Sequence, residues 1–243
     1  MYSLFVKEIR SFLSSLIGYI VIVVFLLAIS MFMWIIRGET NVLEAGYANI
    51  DTLFTIGPWV FLFLIPAITM RSFADEKKSG TIELLLTRPL TDMQIILAKY
   101  FAGIILVGIS ILPTLVYYYS VWRLGSPVGN IDSGGTWGSY LGLMFLGASF
   151  VSIGIFSSSI TDNQIVSFII ALALCFVCYI GFDQLSSLSF FGKADTLIQA
   201  LGINEHYNSI SRGVIDTRDV VYFASFNAFF ILLTRTILES RKW

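Results

Sequence analysis

Long runs of apolar residues without charge recur along the chain and divide it into candidate membrane spans. A helix needs about 20 such residues to cross a hydrocarbon core about 30 Å thick. Five charge-free runs and a sixth run, whose only charge is Arg235 in its last turn, reach about that length. The predicted spans cover residues 17–36, 52–70, 101–122, 137–160, 164–182 and 220–238. The pattern predicts an all-α polytopic membrane protein in which residues 1–243 form a single transmembrane domain.

A shorter apolar pattern precedes the first span and repeats with helical spacing. Lys7 and Arg10 fall mostly off this face. We therefore expect an amphipathic helix lying in the membrane interface, although a simple extension of the first span is the alternative. The apolar positions are Leu4, Phe5, Ile9, Phe12, Leu13 and Leu16.

Composition and charge support a membrane protein and indicate how it is oriented. The chain is 56% hydrophobic and 13% charged, whereas soluble domains carry about 25% charge. A net charge of −1 gives no general attraction to nucleic acid.

The two termini and the segment between the second and third spans carry ten lysines and arginines, against five on the other side. The positive-inside rule therefore predicts that both termini lie in the cytoplasm.

Residues that could perform chemistry are few. Cys175 and Cys178 fall inside the fifth span without further metal ligands nearby, so we interpret them as packing residues. His206 is the single histidine, and the chain has neither a Gly-x-Ser-x-Gly nor a His-Glu-x-x-His motif. No phosphate-binding loop occurs, so the chain cannot hold ATP by that route. We expect no cofactor and no metal site.

Three spans contain features that allow alternative interpretations. Pro58, Pro66 and Pro113 predict bends, which improve packing or act as hinges for gating. Gly138-x-x-x-Gly142 in the fourth span permits close helix approach, either within the chain or between subunits.

The densest charge lies in residues 71–90, between the second and third spans. Ser79 is placed to cap a helix beginning near Gly80, and Glu83 suits the positive end of that helix. Ile82 and the leucines after it share a face, and Pro89 ends the turn. The pattern predicts a short surface helix that is available to a cytoplasmic partner, with an ordinary charged loop as the alternative.

This segment carries a resemblance to a known family. It reads Arg71-x-Phe73-x-x-Glu76-x-x-x-Gly80-Thr81-x-Glu83-x-Leu85-Leu86-x-x-Pro89, which resembles the signature after the second span of type-2 ABC transporter permeases. The six-span layout and the amphipathic N-terminus are similar too. The resemblance implies that the segment is a coupling helix docking into a separate ATPase subunit, and that the N-terminal stretch with Phe5, Lys7 and Arg10 is an interfacial elbow helix. The implied ATPase contacts are Arg71, Glu76, Gly80, Thr81, Glu83 and Leu84.

The resemblance further implies the protein's surroundings. It places the chain in the bacterial inner membrane, in contact with lipid and paired with a second copy or a related permease. It is compatible with a periplasmic or membrane accessory subunit as a further partner, and it implies no nucleic-acid partner. The separate subunit is expected to hydrolyse ATP, and export is the expected direction of transport.

Within the family, the compact length and Ser211–Asp216 resemble the gliding-motility-associated permease of gliding bacteria. Two other functions stay open at this point. One is a membrane scaffold for a motility or secretion machine, and the other is a membrane-embedded enzyme using residues such as Asp183 and His206.

Overall fold

A computed structural model describes residues 1–86, 90–187 and 195–240, with the side chains of residues 17, 84–86 and 197 outside the described part. Within these ranges the protein is 80% helix and contains no strand. Six helices are long and apolar enough to cross a membrane. The predicted all-α, six-span class is therefore confirmed. The spanning helices cover Gly18–Ile35, Asp51–Lys78, Asp92–Leu124, Ser133–Ile160, Gln164–Ser187 and Thr217–Glu239.

Several spans are built from more than one helical piece. A π-helical turn, Met31–Ile35, continues the first span, and another, Val177–Gly181, lies within the fifth. A 3-10 turn, Leu112–Thr114, interrupts the third. The α-helices are α1 (Tyr2–Leu13), α2 (Leu16–Ser30), α3 (Asp51–Thr69), α4 (Ala74–Lys78), α5 (Thr81–Leu86), α6 (Asp92–Ile111), α7 (Leu115–Leu124), α8 (Ser133–Ile160), α9 (Gln164–Phe176), α10 (Phe182–Ser187), α11 (Asp195–Gln199), α12 (Ile203–Ile210) and α13 (Thr217–Glu239).

The third span begins well ahead of the predicted residue 101, because a capping box sets its start. Thr91 Oγ1 accepts a hydrogen bond from the Gln94 amide, and the Gln94 side chain accepts one from the Thr91 amide. This reciprocal pair satisfies two amides that a helix end otherwise leaves unbonded. As a result Lys99, which a charge-free window excludes, lies inside α6 and not in a loop.

Helix α8 lies at the centre of the bundle and packs against α3, α6, α9 and α13. Glycines on α8 allow α6 and the chain at the end of α12 to approach closely. A Cβ added at Gly147 would lie 2.7 Å from the Val107 side chain, and one at Gly138 would lie 2.7 Å from the Gly213 Cα. Gly142 faces Ile210. Gly138 and Gly142 therefore serve packing within the chain.

The prolines have different local effects. Helix α3 continues through both Pro58 and Pro66, whereas Pro113 coincides with the 3-10 turn between α6 and α7. Proline removes one backbone donor and crowds the preceding turn, which explains the change of helix type at Pro113. A role of these sites as hinges stays a prediction.

The single histidine lies in a defined contact. His206 Nδ1 is 2.7 Å from Asp219 Oδ1, and its Nε2 is 3.0 Å from the Ala200 carbonyl. The imidazole also stacks on the Tyr222 ring at 3.8 Å. These contacts join α12 to the start of α13, so His206 has a structural task in this part of the fold.

Candidate functional site

Helix α1 is separate from the first span. Ser14 ends α1, and Ser15 caps the next helix by accepting a hydrogen bond from the Gly18 amide at 3.1 Å. α1 packs along α6 with Leu4 buried and Phe5 half-buried, while Lys7 and Arg10 are exposed. A continuous extension of the first span is therefore excluded. The interfacial position of α1 stays a prediction.

A buried lysine joins three elements at this end of the bundle. Lys99 Nζ lies 3.1 Å from Glu8 Oε1 of α1 and 3.0 Å from Glu76 Oε1 of α4. It also donates a hydrogen bond to the Ser72 carbonyl at 2.6 Å. The Lys99 side chain is only 1% exposed. With Lys7, these ion-paired residues form what we call the Lys99 cluster.

Lys7 closes the Lys99 cluster on its solvent side. Its Nζ lies 3.3 Å from Glu76 and 3.4 Å from Glu8, and its side chain is 59% exposed. Partial burial acts to lower the pKa of Lys7, but the two carboxylates outweigh it and raise that pKa above the ordinary value. Exposed pairs of this kind add little stability, so Lys99 is the residue on which the cluster depends.

The α4 turn is also fixed to the last turn of α8. Ser158 Oγ accepts hydrogen bonds from the Phe73 and Ala74 amides at 2.9 and 3.0 Å and donates one to the Met70 carbonyl at 3.0 Å. Lys77 donates to the Ser159 carbonyl, and Gln164 at the start of α9 donates to Asp75. The chain between α3 and α4 is thus held by several spans.

We expect Ser158→Ala to destabilise the protein by about 2 kcal/mol, because two buried amides lose their acceptor. Thermal unfolding of the purified protein in detergent measures the loss. Ser157→Ala is the matched control, since the Ser157 hydroxyl bonds to the Ile153 carbonyl of its own helix. That change should cost no more than about 0.5 kcal/mol. Equal losses for the two variants would contradict the role of Ser158.

The segment then turns outward at Gly80. Ser79 is the C-cap of α4: its amide and hydroxyl both donate to the Asp75 carbonyl, at 3.0 and 2.7 Å. Gly80 has φ +70°, a conformation that glycine adopts without steric cost, and α5 starts at Thr81. The prediction that Ser79 caps the following helix is wrong, because its hydroxyl donates to the preceding helix and contacts the following one only through the Thr81 side chain, at 2.8 Å.

The sequence comparison identifies the family. Residues 2–238 match the family described as ABC-2 family transporter protein. The chain belongs to this family. A comparison with curated proteins finds no match. Family membership makes the chain a multi-pass membrane component of a transporter, and in this family the permease is not catalytic and the ATPase is a separate subunit. The resemblance to type-2 ABC permeases is confirmed at this level.

The predicted contact residues of this ABC-2 permease divide into two groups. Arg71, Gly80, Thr81 and Glu83 are exposed. Glu76 instead points inward, with 12% of its side chain exposed, because it pairs with Lys99. The backbone of Leu84 lies in α5, but its side chain is outside the described part of the chain, as are the side chains of residues 85 and 86 and all of residues 87–89.

The ABC-2 permease also contains residues that sequence reasoning missed. Lys99 precedes the predicted start of the third span at residue 101, so the hydropathy pattern places its charge in a loop, and the pattern gives no role to Glu8 or Ser158. A detectable signal was the capping box at Thr91, which extends α6 past Lys99 and so predicts a charge on a buried helix. Asp183 and His206, proposed for an enzyme, bond instead to Asn204 and Asp219.

Proposed function

We propose that this chain is the permease subunit of an ATP-driven ABC exporter, and that the 71–90 segment receives the separate ATPase subunit. One observation carries the proposal: the tip of the segment is exposed while its base is bonded to α1, α6 and α8. A loose loop would absorb a push from a partner, whereas a segment fixed at its base transmits the push to the spans.

The exposed residues Thr81 and Glu83 supply the proposed contact surface, together with Arg71, Gly80 and Leu84 of the same segment. Glu76 lies beneath this contact surface. It pairs with Lys99 of α6 and lies beside Glu8 in the Lys99 cluster. In the elbow helix, Phe5 packs toward the bundle while Lys7 and Arg10 face outward, where they can meet anionic lipid headgroups.

The surroundings of the subunit belong to the same proposal. The excess of lysine and arginine at this end supports a cytoplasmic location for both termini, in the bacterial inner membrane. Membership of the family supports pairing with a second copy or a related permease. The resemblance of Ser211–Asp216 supports a place in the gliding-motility-associated branch, with an accessory subunit at the opposite end.

The docking surface is tested by Glu83→Lys combined with Leu84→Ala, using the ATPase subunit that co-purifies with the wild-type permease. Reversing a charge at the tip would place like charges against each other across the interface, which typically costs several kcal/mol. We expect co-purification and stimulation of ATP hydrolysis to fall at least about tenfold.

The matched control is Glu39→Lys with Leu43→Ala, which makes the same exchanges on exposed residues at the other end of the bundle. It should leave stimulation unchanged. Unaltered coupling in the Glu83/Leu84 variant would contradict the docking site. Separately, a Thr81→Cys thiol that reacts with an impermeant reagent outside intact cells would contradict the orientation.

A further inference from the structure

A cleft opens at the end of the bundle opposite α4 and α5. The start of α3, the π-turn and α10 of the fifth span, and α12 surround it, and its volume is about 570 Å³. Ligand pockets commonly have volumes of about 300–1,000 Å³. Tyr207, which is buried, donates a hydrogen bond to the Phe54 carbonyl at 2.6 Å and so fixes α12 to α3 beside the cleft. The cleft is therefore preformed.

The charge in the cleft is of one sign. Among the described residues that line it, Asp51 and Asp183 are the only charged ones. Asp183 Oδ2 accepts a hydrogen bond from Asn204 Nδ2 at 2.5 Å. Asp183 Oδ1 is buried and has no hydrogen-bond partner in the described ranges. Asn204 occupies only one of the two carboxylate oxygens, so Asp183 keeps acceptor capacity beside the cleft.

Aromatic rings complete the lining. Trp59 is 49% exposed and meets the Tyr179 ring edge to face at 6.3 Å and 89°. Phe150 supports Tyr179 from the core side in a second edge-to-face contact at 6.0 Å. Tryptophan is the side chain whose face attracts a cation most strongly. Carboxylates beside such faces form the chemistry that recognises an ammonium group.

The depth of the cleft fits a ligand at the membrane interface. Asp51 is the first residue of α3, and Trp59 follows on the same helix. Eight residues of helix correspond to about 12 Å. Asp51 therefore lies at the end of the span, and Trp59 lies deeper in it.

We propose that this cleft binds an ammonium-bearing ligand, with Asp183 pairing with the ammonium group and Trp59 covering it. Asn204 orients the carboxylate, and Asp51 adds negative charge at the entrance. The ammonium group is supplied by an aminophospholipid headgroup or by a soluble amine. The site does not depend on ATPase docking, because none of the lining residues belongs to the described part of the 71–90 segment.

Native mass spectrometry of the full-length, delipidated permease tests the site with two probes. The first probe is short-chain phosphatidylethanolamine, compared with phosphatidylglycerol of the same chain length. The second is phosphoethanolamine, which carries the headgroup without the acyl chains. We expect phosphatidylethanolamine to bind at least about tenfold more tightly than phosphatidylglycerol, since the latter lacks the ammonium group. Binding of phosphoethanolamine as well assigns recognition to the headgroup alone, and binding of the lipid only shows that the acyl chains take part.

Variants locate the bound amine. Asp183→Asn keeps the size of the side chain and removes its charge, so affinity should fall about tenfold. Trp59→Leu keeps an apolar side chain without a cation-binding face and should also weaken binding. Glu39→Gln removes an exposed carboxylate outside the cleft and serves as the control. If Asp183→Asn does not fold, Asp51→Asn and Trp59→Leu carry the test.

Three results would overturn the proposal. The first is equal affinity for the two lipids in the wild-type protein. The second is a preference for phosphatidylethanolamine that survives Asp183→Asn, or Asp51→Asn together with Trp59→Leu, in a folded protein. A loss of binding in Glu39→Gln as large as that in Asp183→Asn would likewise overturn it, because the preference would then come from surface charge.

Discussion

Lys99→Met is expected to lower the free energy of unfolding by about 3–5 kcal/mol, because removing one partner of a buried ion pair leaves the other charges uncompensated. Methionine has a similar shape but no charge. The Glu8 and Glu76 carboxylates would then depend on the exposed Lys7, which lies 3.4 Å from the first and 3.3 Å from the second. We expect α1 to separate from α4, which hydrogen exchange of residues 2–13 would detect alongside thermal unfolding.

Two further variants separate charge from packing. Lys7→Met should cost less than about 1 kcal/mol, since the side chain is largely exposed. Combining Lys99→Met with Glu8→Gln and Glu76→Gln should restore most of the loss, because a buried ionic cluster replaced as a whole by neutral residues is often tolerated. If Lys99→Met alone matches the wild type in stability, the Lys99 cluster does not hold these helices together.

Gly154→Leu is expected to cost about 3 kcal/mol, the upper part of the range for overpacked cores. A Cβ at Gly154 would overlap the Thr69 side chain of α3. Thr69 cannot easily move away, since it is buried and its hydroxyl donates to the Ile65 carbonyl at 2.8 Å. The closest contact between α3 and α8 would therefore open, next to the start of the 71–90 segment.

Two glycine-to-alanine substitutions test this explanation, because they are expected to affect the stability of the protein differently. Gly154→Ala should destabilise the protein by about 1–2 kcal/mol through the same overlap. At Gly108 an added Cβ meets only the end of the flexible Met144 side chain, at 3.6 Å. Gly108→Ala should therefore be neutral or stabilise by up to about 1 kcal/mol, since alanine favours the helix. Equal losses at the two positions would contradict the packing argument.

The six spans could be predicted from the sequence because hydrocarbon imposes one strong requirement, a charge-free helix of fixed length. The limits of that requirement explain why the helix of the third span begins at Asp92, ahead of the predicted residue 101. Lys99 breaks a charge-free window, yet its ammonium group is neutralised by Glu8 and Glu76, so it is compatible with a buried helix. Compensation of this kind comes from residues that are distant in the sequence, so a local hydropathy pattern cannot show it.

The sequence pattern does not reveal how the base of the 71–90 segment is anchored, for a related reason. Ser157, Ser158 and Ser159 are chemically identical along the sequence, and only the packing of α8 against α4 turns Ser158 toward the Phe73 and Ala74 amides. The cleft likewise combines Trp59 and Asp183, which belong to different spans. The outline of the segment was predicted because glycine, acidic and leucine positions act locally, whereas the tertiary contacts that fix its base are long-range.

The bonds of Ser158 have a mechanical consequence. Helix α8 has 28 residues, which corresponds to a rod about 42 Å long. Tilting that rod by about 10° around its midpoint would displace its terminal turn by about 4 Å. Ser158 lies in that turn and is hydrogen-bonded to the backbone of residues 70, 73 and 74. The displacement of α8 would therefore move the backbone of these residues by a similar distance. Helix α8 thus has the geometry of a lever arm, with its fulcrum among the glycines at the bundle centre.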